Sequence, residues 1–284
     1  TIHEDAWIGG GNLGNSLDFF SRGLEISNQV YMQYSVQGEK IEELKIKVLD
    51  MGQGQERAAW FTQGLSTSYE AAFPAVMDYL KKQTGIKVNQ KLIKNFLPYS
   101  SYLNADEVEN IENSWRFIAK KLNLNSEELK KEIIPLSALY SVAEHLRSLL
   151  VAISDSALPS NIGGGYNLRI ILRRLLSFIE KYKFDIDTAK ILELHAQYLK
   201  PLYPELSENL EQVEKILKVE KNKYEATKQK SKQIVAKLIT KDITENDLLK
   251  LYDSDGIPPE VIKQEALNIG KQIKIQDNFY AKIS

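Results

Sequence analysis

The 284-residue sequence contains no cysteine, which excludes disulfides and thiolate metal sites. Its three histidines, His3, His145 and His195, are scattered, so no zinc centre or other metal site is expected from residue clusters. No apolar run approaches the roughly 18 residues that a bilayer-spanning helix needs, so no membrane partner is expected. Neither sign of charge is in excess: 37 Lys and Arg stand against 38 Asp and Glu, for a net charge of −1. Any nucleic-acid contact therefore has to come from a local basic face. The opening TIHEDAWIGGGN lacks an initiator Met and both the basic flank and the apolar stretch of a signal peptide. An intracellular, cytoplasmic chain cut from a longer one is the resulting expectation. What remains is the composition of a globular protein, 43% hydrophobic and 26% charged, long enough for one large or two ordinary domains.

Two textures follow one another along the chain. Up to about residue 60, AWIGG, SLDFFSRG, SNQVYMQYSV and KIKVLDMG read as short strands of an antiparallel sheet, separated by Gly-rich or polar connections. SNQVYMQYSV sets Asn28, Gln29 and Gln33 among Val30, Tyr31, Met32 and Tyr34, polar residues that a purely structural strand has little reason to hold at its centre. From Gln55 the period becomes helical. Val108, Ile111, Trp115, Ile118 and Leu122 recur at threes and fours, the spacing of one buried helix face. Asn125 with Glu128 three residues on reads as a capping box for a helix running to about Ile153. The LPSNIGGGYN loop then leads into LRIILRRLLSFIEKY. Helices are expected over about 186–199 and 204–239, then after the Thr244 cap, and again beyond the Gly turn of LYDSDGIPPEVIKQEA, with a strand in the tail KIQDNFYAKIS. The fold class is α+β, a sheet-bearing portion followed by a larger α-helical domain, with no internal repeat.

VLDMGQGQERAAW, residues 48–60, carries the densest chemical pattern. A buried strand delivers Asp50, Gly52 and Gly54 let the backbone turn closely, and Arg57 emerges at a helix start, which suits an anionic ligand. The stretch is neither a Walker loop, lacking Gly-Lys-Ser/Thr, nor the dinucleotide fingerprint. Spacing alone leaves two readings open, a ligand loop or a strand-to-helix turn with a surface Arg.

Read together, four stretches resemble one family, the alanyl-tRNA synthetases of archaeal type. WIGGGNLGNSLDFFSRGLEISNQVYMQY is similar to the family's glycine run, carboxylate and Asn-bearing strand ending in Met-Gln-aromatic. DMGQGQER resembles class II motif 3, and AEHLRSLLVAISDSALPSNIGGGYNLRIILRR resembles the family's His-bearing helix, Pro-Ser-Asn loop and Arg-bearing helix. LYDSDGIPPEVI resembles the segment that precedes the editing domain. The resemblance implies the C-terminal half of a class II aminoacylation domain over 1–85, with motif 3 at 50–57, and a helical tRNA-recognition domain over 86–284. Motifs 1 and 2 are then expected before Thr1, and the editing domain after Ser284.

The same resemblance implies roles. Arg57 would grip the γ-phosphate of ATP with a planar guanidinium that pairs with phosphate oxygens and never deprotonates. Gly52, Gly54 and Glu56 would complete the ATP site, and Asp50, Asn28 and the backbone at Val30 would hold alanine, Asp50 facing its ammonium group. ATP and Mg2+ are implied as cofactors, with no protein ligand of the metal placed. Asn161 and Asp253 would read the G·U pair of the tRNA-Ala acceptor stem, where a wide, shallow minor groove offers the guanine amino group. Without the family, the same two residues read as support for a Gly turn and a cap for the helix after Gly256. Arg169 and Arg173, four apart on one helix face, suit phosphates, and Arg174 a core-edge ion pair. Lys218, Lys221, Lys223, Lys228, Lys230, Lys232 and Lys237, interrupted by Glu220 and Glu225, read as a solvated face, and His145 beside Glu144 as structural. Asn15, Asp18 and Met51 depart from the family pattern. Lacking motifs 1 and 2, the isolated chain is expected to bind tRNA without aminoacylating it; the alternative reading is a non-catalytic RNA-binding module.

Overall fold

The computed structural model describes residues 2–103, 110–238, 243–255, 257, 259–268 and 270–273. The tail expected to form a strand lies outside them, as does Val108. Strands β1 (Ile2–Gly9), β2 (Asn12–Ser21), β3 (Leu24–Gln37) and β4 (Lys40–Gln53) form a sheet of order β1-β2-β3-β4 with every neighbouring pair antiparallel. The strands fall where expected, extended at their ends until tight turns stop them, at Gly10-Gly11, Arg22-Gly23 and Gly38, where φ is positive. But β4, read as a buried strand, is an edge strand and is exposed along almost its whole length. Gly14 sits beside a register shift: a Cβ there would lie 1.8 Å from the Tyr31 carbonyl oxygen, so only glycine admits that approach of β2 to β3. Val30 and Ser16, register partners, are buried, whereas Ile8, Ile46, Val48, Leu49 and Met51 are exposed on the sheet.

After β4 the chain is helical: α1 (Gln55–Gln63), α2 (Ser68–Ala72), α3 (Pro74–Thr84), α4 (Gln90–Phe96), a 3-10 helix (Leu97–Leu103), α5 (Ile111–Lys121) and α6 (Ser126–Ser154). α7 (Gly163–Tyr182), α8 (Thr188–Leu199), α9 (Glu205–Glu208), α10 (Leu210–Leu238), α11 (Glu245–Asp255) and α12 (Pro259–Asn268) follow. The capping box forms as written: Glu127 N–H donates to Asn125 Oδ1 at 2.8 Å, and Asn125 N–H to Glu128 Oε2 at 3.3 Å. Thr244 makes the equivalent box with Asp247.

The chain divides into two compact units, Thr1–Glu144 and His145–Ser284, the division falling within α6. In the first, Met77, Leu80, Ile118, Leu129 and Leu139 are fully buried; in the second, Leu146, Leu149, Leu175, Ile191 and Val213 are. Length and apolar composition would let α6 cross a membrane, yet 56% of its most apolar stretch is buried inside the protein, the character of a core helix.

Candidate functional site

The motif DMGQGQER crosses from strand to helix. Asp50, Met51, Gly52 and Gln53 end β4, Gly54 is the N-cap, and Gln55 opens α1. Gly54 N–H donates to the Ile26 carbonyl at 3.2 Å, and its own carbonyl accepts from Ala58 N–H at 2.9 Å, so the junction is tied to β3 on one side and to the helix on the other. A Cβ on Gly54 would stand 3.0 Å from Cδ of Arg57, whose aliphatic stem lies over this glycine.

The β3–β4 register assembles the rest. Asn28 faces Gly52 and Val30 faces Asp50 across the strands, and directly opposed residues share a sheet face. Asp18 and Ser16 of β2 oppose the same two β3 residues and join that face. The Asn28 amide oxygen lies over Gly52, where a Cβ would approach it to 2.5 Å. Of the residues expected to hold alanine, the structure therefore brings Asn28, Val30 and Asp50 together, with Asp50 exposed.

Glu25 is the residue that motif reasoning missed. A register shift between Phe19 and Phe20 leaves Ile26 without an opposite number, and this bulge turns Glu25 onto the Asn28 face, which simple alternation forbids. Asn28 Nδ2 donates to Glu25 Oε1 at 3.0 Å. Arg57 Nη1 donates to Glu25 Oε2 at 3.1 Å and to the Glu25 carbonyl at 3.2 Å. The hydrogen bonds from Asn28 and then Arg57 hold the Glu25 carboxyl below the usual range. One carboxylate thus links the expected amino-acid residue to the expected phosphate arginine.

In the second unit the Pro-Ser-Asn loop is tied to the start of α7. Ser160 N–H donates to the Gly165 carbonyl at 3.0 Å, and Ser160 Oγ to the Ile162 carbonyl at 2.9 Å. A Cβ on Gly165 would fall 2.3 Å from Ser160 Oγ and 2.5 Å from the Leu158 carbonyl oxygen. This contact makes the glycines the first turn of α7, which starts ahead of the apolar run the sequence suggested. Asn161, on the exposed loop, accepts through Oδ1 from Arg169 Nη1. The same guanidinium grips Glu220 of α10, Nε to Oε2 at 2.8 Å and Nη2 to Oε1 at 3.2 Å. Burial pushes the Glu220 pKa up, but the hydrogen bonds from Arg169 and Lys223 outweigh it and hold the carboxyl below its ordinary value.

Arg173, one turn along α7, has no ion-pair partner among the described residues and lies near Tyr224. Asp253, described by its backbone alone, lies within α11. Of the lysines on α10, Lys223 pairs with Glu220, Lys228 with Glu180 and Lys232 with Glu265. His145 packs near Phe178, and burial followed by the charge of Arg174 lowers its pKa. Among the described residues no group of three or more His, Asp or Glu could hold a metal.

An antiparallel sheet that delivers this motif to a helix start, followed by a helical region, is the architecture of a class II synthetase fragment, and the sequence model of the family described as "tRNA synthetases class II (A)" matches residues 21–284. The chain belongs to the class II tRNA synthetases. Among curated proteins it is similar to the alanine–tRNA ligases of archaea. That of Methanocella arvoryzae is 43% identical over 99% of this chain and 32% of the relative. That of Nitrosopumilus maritimus is 37% identical over 99% and 31%, and that of Caldivirga maquilingensis 34% identical over 100% and 32%. The chain thus spans about a third of the length of these relatives.

Proposed function

We propose that the chain is the part of an alanine–tRNA ligase that carries motif 3 of the aminoacylation domain, over 1–85, and the tRNA-recognition domain, over 86–284. The observation that carries this reading is the β3–β4 register, which sets Asn28 and Val30 against Gly52 and Asp50 and runs on into the helix bearing Arg57. In the proposed reaction the alanine carboxylate attacks the α-phosphorus of ATP, pyrophosphate leaves, and a terminal ribose hydroxyl of tRNA-Ala attacks the alanyl carbonyl, AMP leaving with the hydroxyl proton taken up by its phosphate. Asp50 pairs with the alanine ammonium, Asn28 orients the amino acid, and Arg57 leaves Glu25 for the γ-phosphate. Such chemistry runs on positioning and charge neutralisation and needs no general base. Glu25, a carboxylate beside the phosphate arginine, would offer an oxygen to a magnesium ion that keeps waters and phosphate oxygens as its other ligands once Arg57 has left it. That ion would neutralise phosphate charge.

In the helical region, the Asn161 amide and the Asp253 carboxylate are the residues proposed to read the minor-groove edge of the acceptor-stem G·U pair, with Arg173 on phosphates and Arg169 supporting Asn161. The exposed apolar residues of β4 are where other segments of the parent enzyme would pack.

Alanine-dependent ATP–pyrophosphate exchange tests the catalytic part. The parent enzyme should exchange, and Arg57→Ala should cut the rate by about a hundredfold, the scale of removing one charge-stabilising donor. The isolated chain should not exchange. Undiminished exchange by Arg57→Ala, or clear exchange by the isolated chain, would count against the assignment.

A further inference from the structure

Glu220 is 8% exposed, on a lysine-rich helix whose other glutamates lie outside its buried stripe. It falls in the sequence Val213, Leu217, Glu220, Tyr224, the spacing of the helix's buried stripe, where an apolar residue would ordinarily stand. Its partner Arg169 is also largely buried, with 17% of the side chain exposed. A buried Arg–Glu pair is a poor route to stability, because desolvating two charges offsets most of their attraction. Its geometric effect is better defined. The two-pronged grip on Glu220 uses Nε and Nη2 and fixes the plane of the guanidinium, which leaves Nη1 directed at Asn161. A guanidinium only donates, so the amide of Asn161 must turn its oxygen inward, and its Nδ2 becomes the group available to a ligand.

We propose that Glu220 is a positioning residue: it holds Arg169, Arg169 holds the amide oxygen of Asn161, and Asn161 presents its Nδ2 donor to an acceptor on a base edge in the minor groove of an RNA stem. The inference rests on the acceptor-stem reading given above. It assigns Arg169 an indirect part in recognition in place of a phosphate contact. Ordering an exposed amide before binding lowers the entropy lost when RNA arrives, so the relay sharpens discrimination while leaving the phosphate attraction alone.

The test is a double-mutant cycle on the 284-residue chain with acceptor-stem hairpins carrying G·U or G·C, at two salt concentrations. Glu220→Gln should reduce the G·U preference by about three- to tenfold, the scale of one hydrogen bond, with an unchanged salt slope. Asn161→Ala should do the same, and the double variant should lose no more than either. Independent losses in the cycle would overturn the proposal. So would Glu220→Gln weakening both hairpins equally with a shallower salt slope. A second measurement needs no RNA: the side-chain amide 15N–1H signals of Asn161, identified by their loss in Asn161→Ser, should be dispersed in the parent chain and move toward free-asparagine positions in Glu220→Gln. Signals that stay in place would overturn the relay. If the parent chain shows no G·U preference, the acceptor-stem reading fails, and the amide signals still decide whether Glu220 positions Asn161. Should Glu220→Gln not fold by circular dichroism, Glu220→Asp, which keeps the charge and shortens its reach, is read in the same way.

Discussion

Each unit of this chain holds an Arg–Glu pair at its candidate site, and the two pairs differ in exposure and in geometry. Arg57 meets the Glu25 carboxylate through one nitrogen at 3.1 Å, with 49% and 30% of the side chains exposed. Arg169 meets Glu220 through two nitrogens, with 17% and 8% exposed. A half-exposed hold made by one nitrogen costs little to break, so the phosphate of the proposed reaction could take Arg57 from its partner. A buried two-pronged pair cannot be opened without stranding a charge, so Arg169 stays in place and passes its orientation to Asn161. In the proposed function the same two residue types would serve as a releasable hold in the sheet-bearing unit and as a fixed support in the helical one.

The contrast predicts graded effects. Glu220→Ala, which leaves Arg169 buried and unpaired, should lower the unfolding free energy by about 3 kcal/mol in urea titrations. A loss as small as that expected for an exposed pair would erase the distinction. Next in size, Gly165→Ala should cost about 2 kcal/mol, because its Cβ meets the Leu158 carbonyl oxygen as well as Ser160, and backbone cannot swing away. It should also disturb the Asn161 loop, visible as shifted loop resonances.

Acid should reveal the Glu220 pair as well. Its carboxyl titrates below the ordinary value for a glutamate, so its stabilisation is complete above that ordinary value and is lost as pH falls through the lowered folded value. The stability gap between the parent chain and Glu220→Gln should therefore be constant near neutrality and close in acid. A gap that widens in acid would mean the charge is not held by Arg169 and Lys223. Smallest of all, Glu25→Ala or Arg57→Ala should change stability by less than about 1 kcal/mol. A larger loss would make that pair structural and unfit to release its arginine.

Much of this was legible in the sequence, and what was not has identifiable causes. The four strands and the Asn125 capping box depend on local chemistry and formed as read. Spacing left residues 48–57 open to two readings, and how the junction is held was not legible either, because the bond from Gly54 to Ile26 joins segments far apart in the chain. Glu25 was hidden because strand alternation puts it on the wrong face, and the bulge that reverses its direction is a property of strand pairing. The start of α7 was placed late because three glycines disfavour a helix, a preference overridden by the packing of Gly165 on Ser160. Glu220 was within reach: a lone acid at an apolar-stripe position of a lysine-rich helix was a signal of a buried partner.

The most direct test of the account is binding of the 284-residue chain to a tRNA-Ala acceptor-stem hairpin, with its G·U pair and with G·C in its place, beside the Asp253→Ala variant and at two salt concentrations. The account predicts tighter binding of the G·U hairpin and loss of that preference in the variant, with a similar salt slope for both. Equal, salt-sensitive binding of the two hairpins by the parent chain would contradict it.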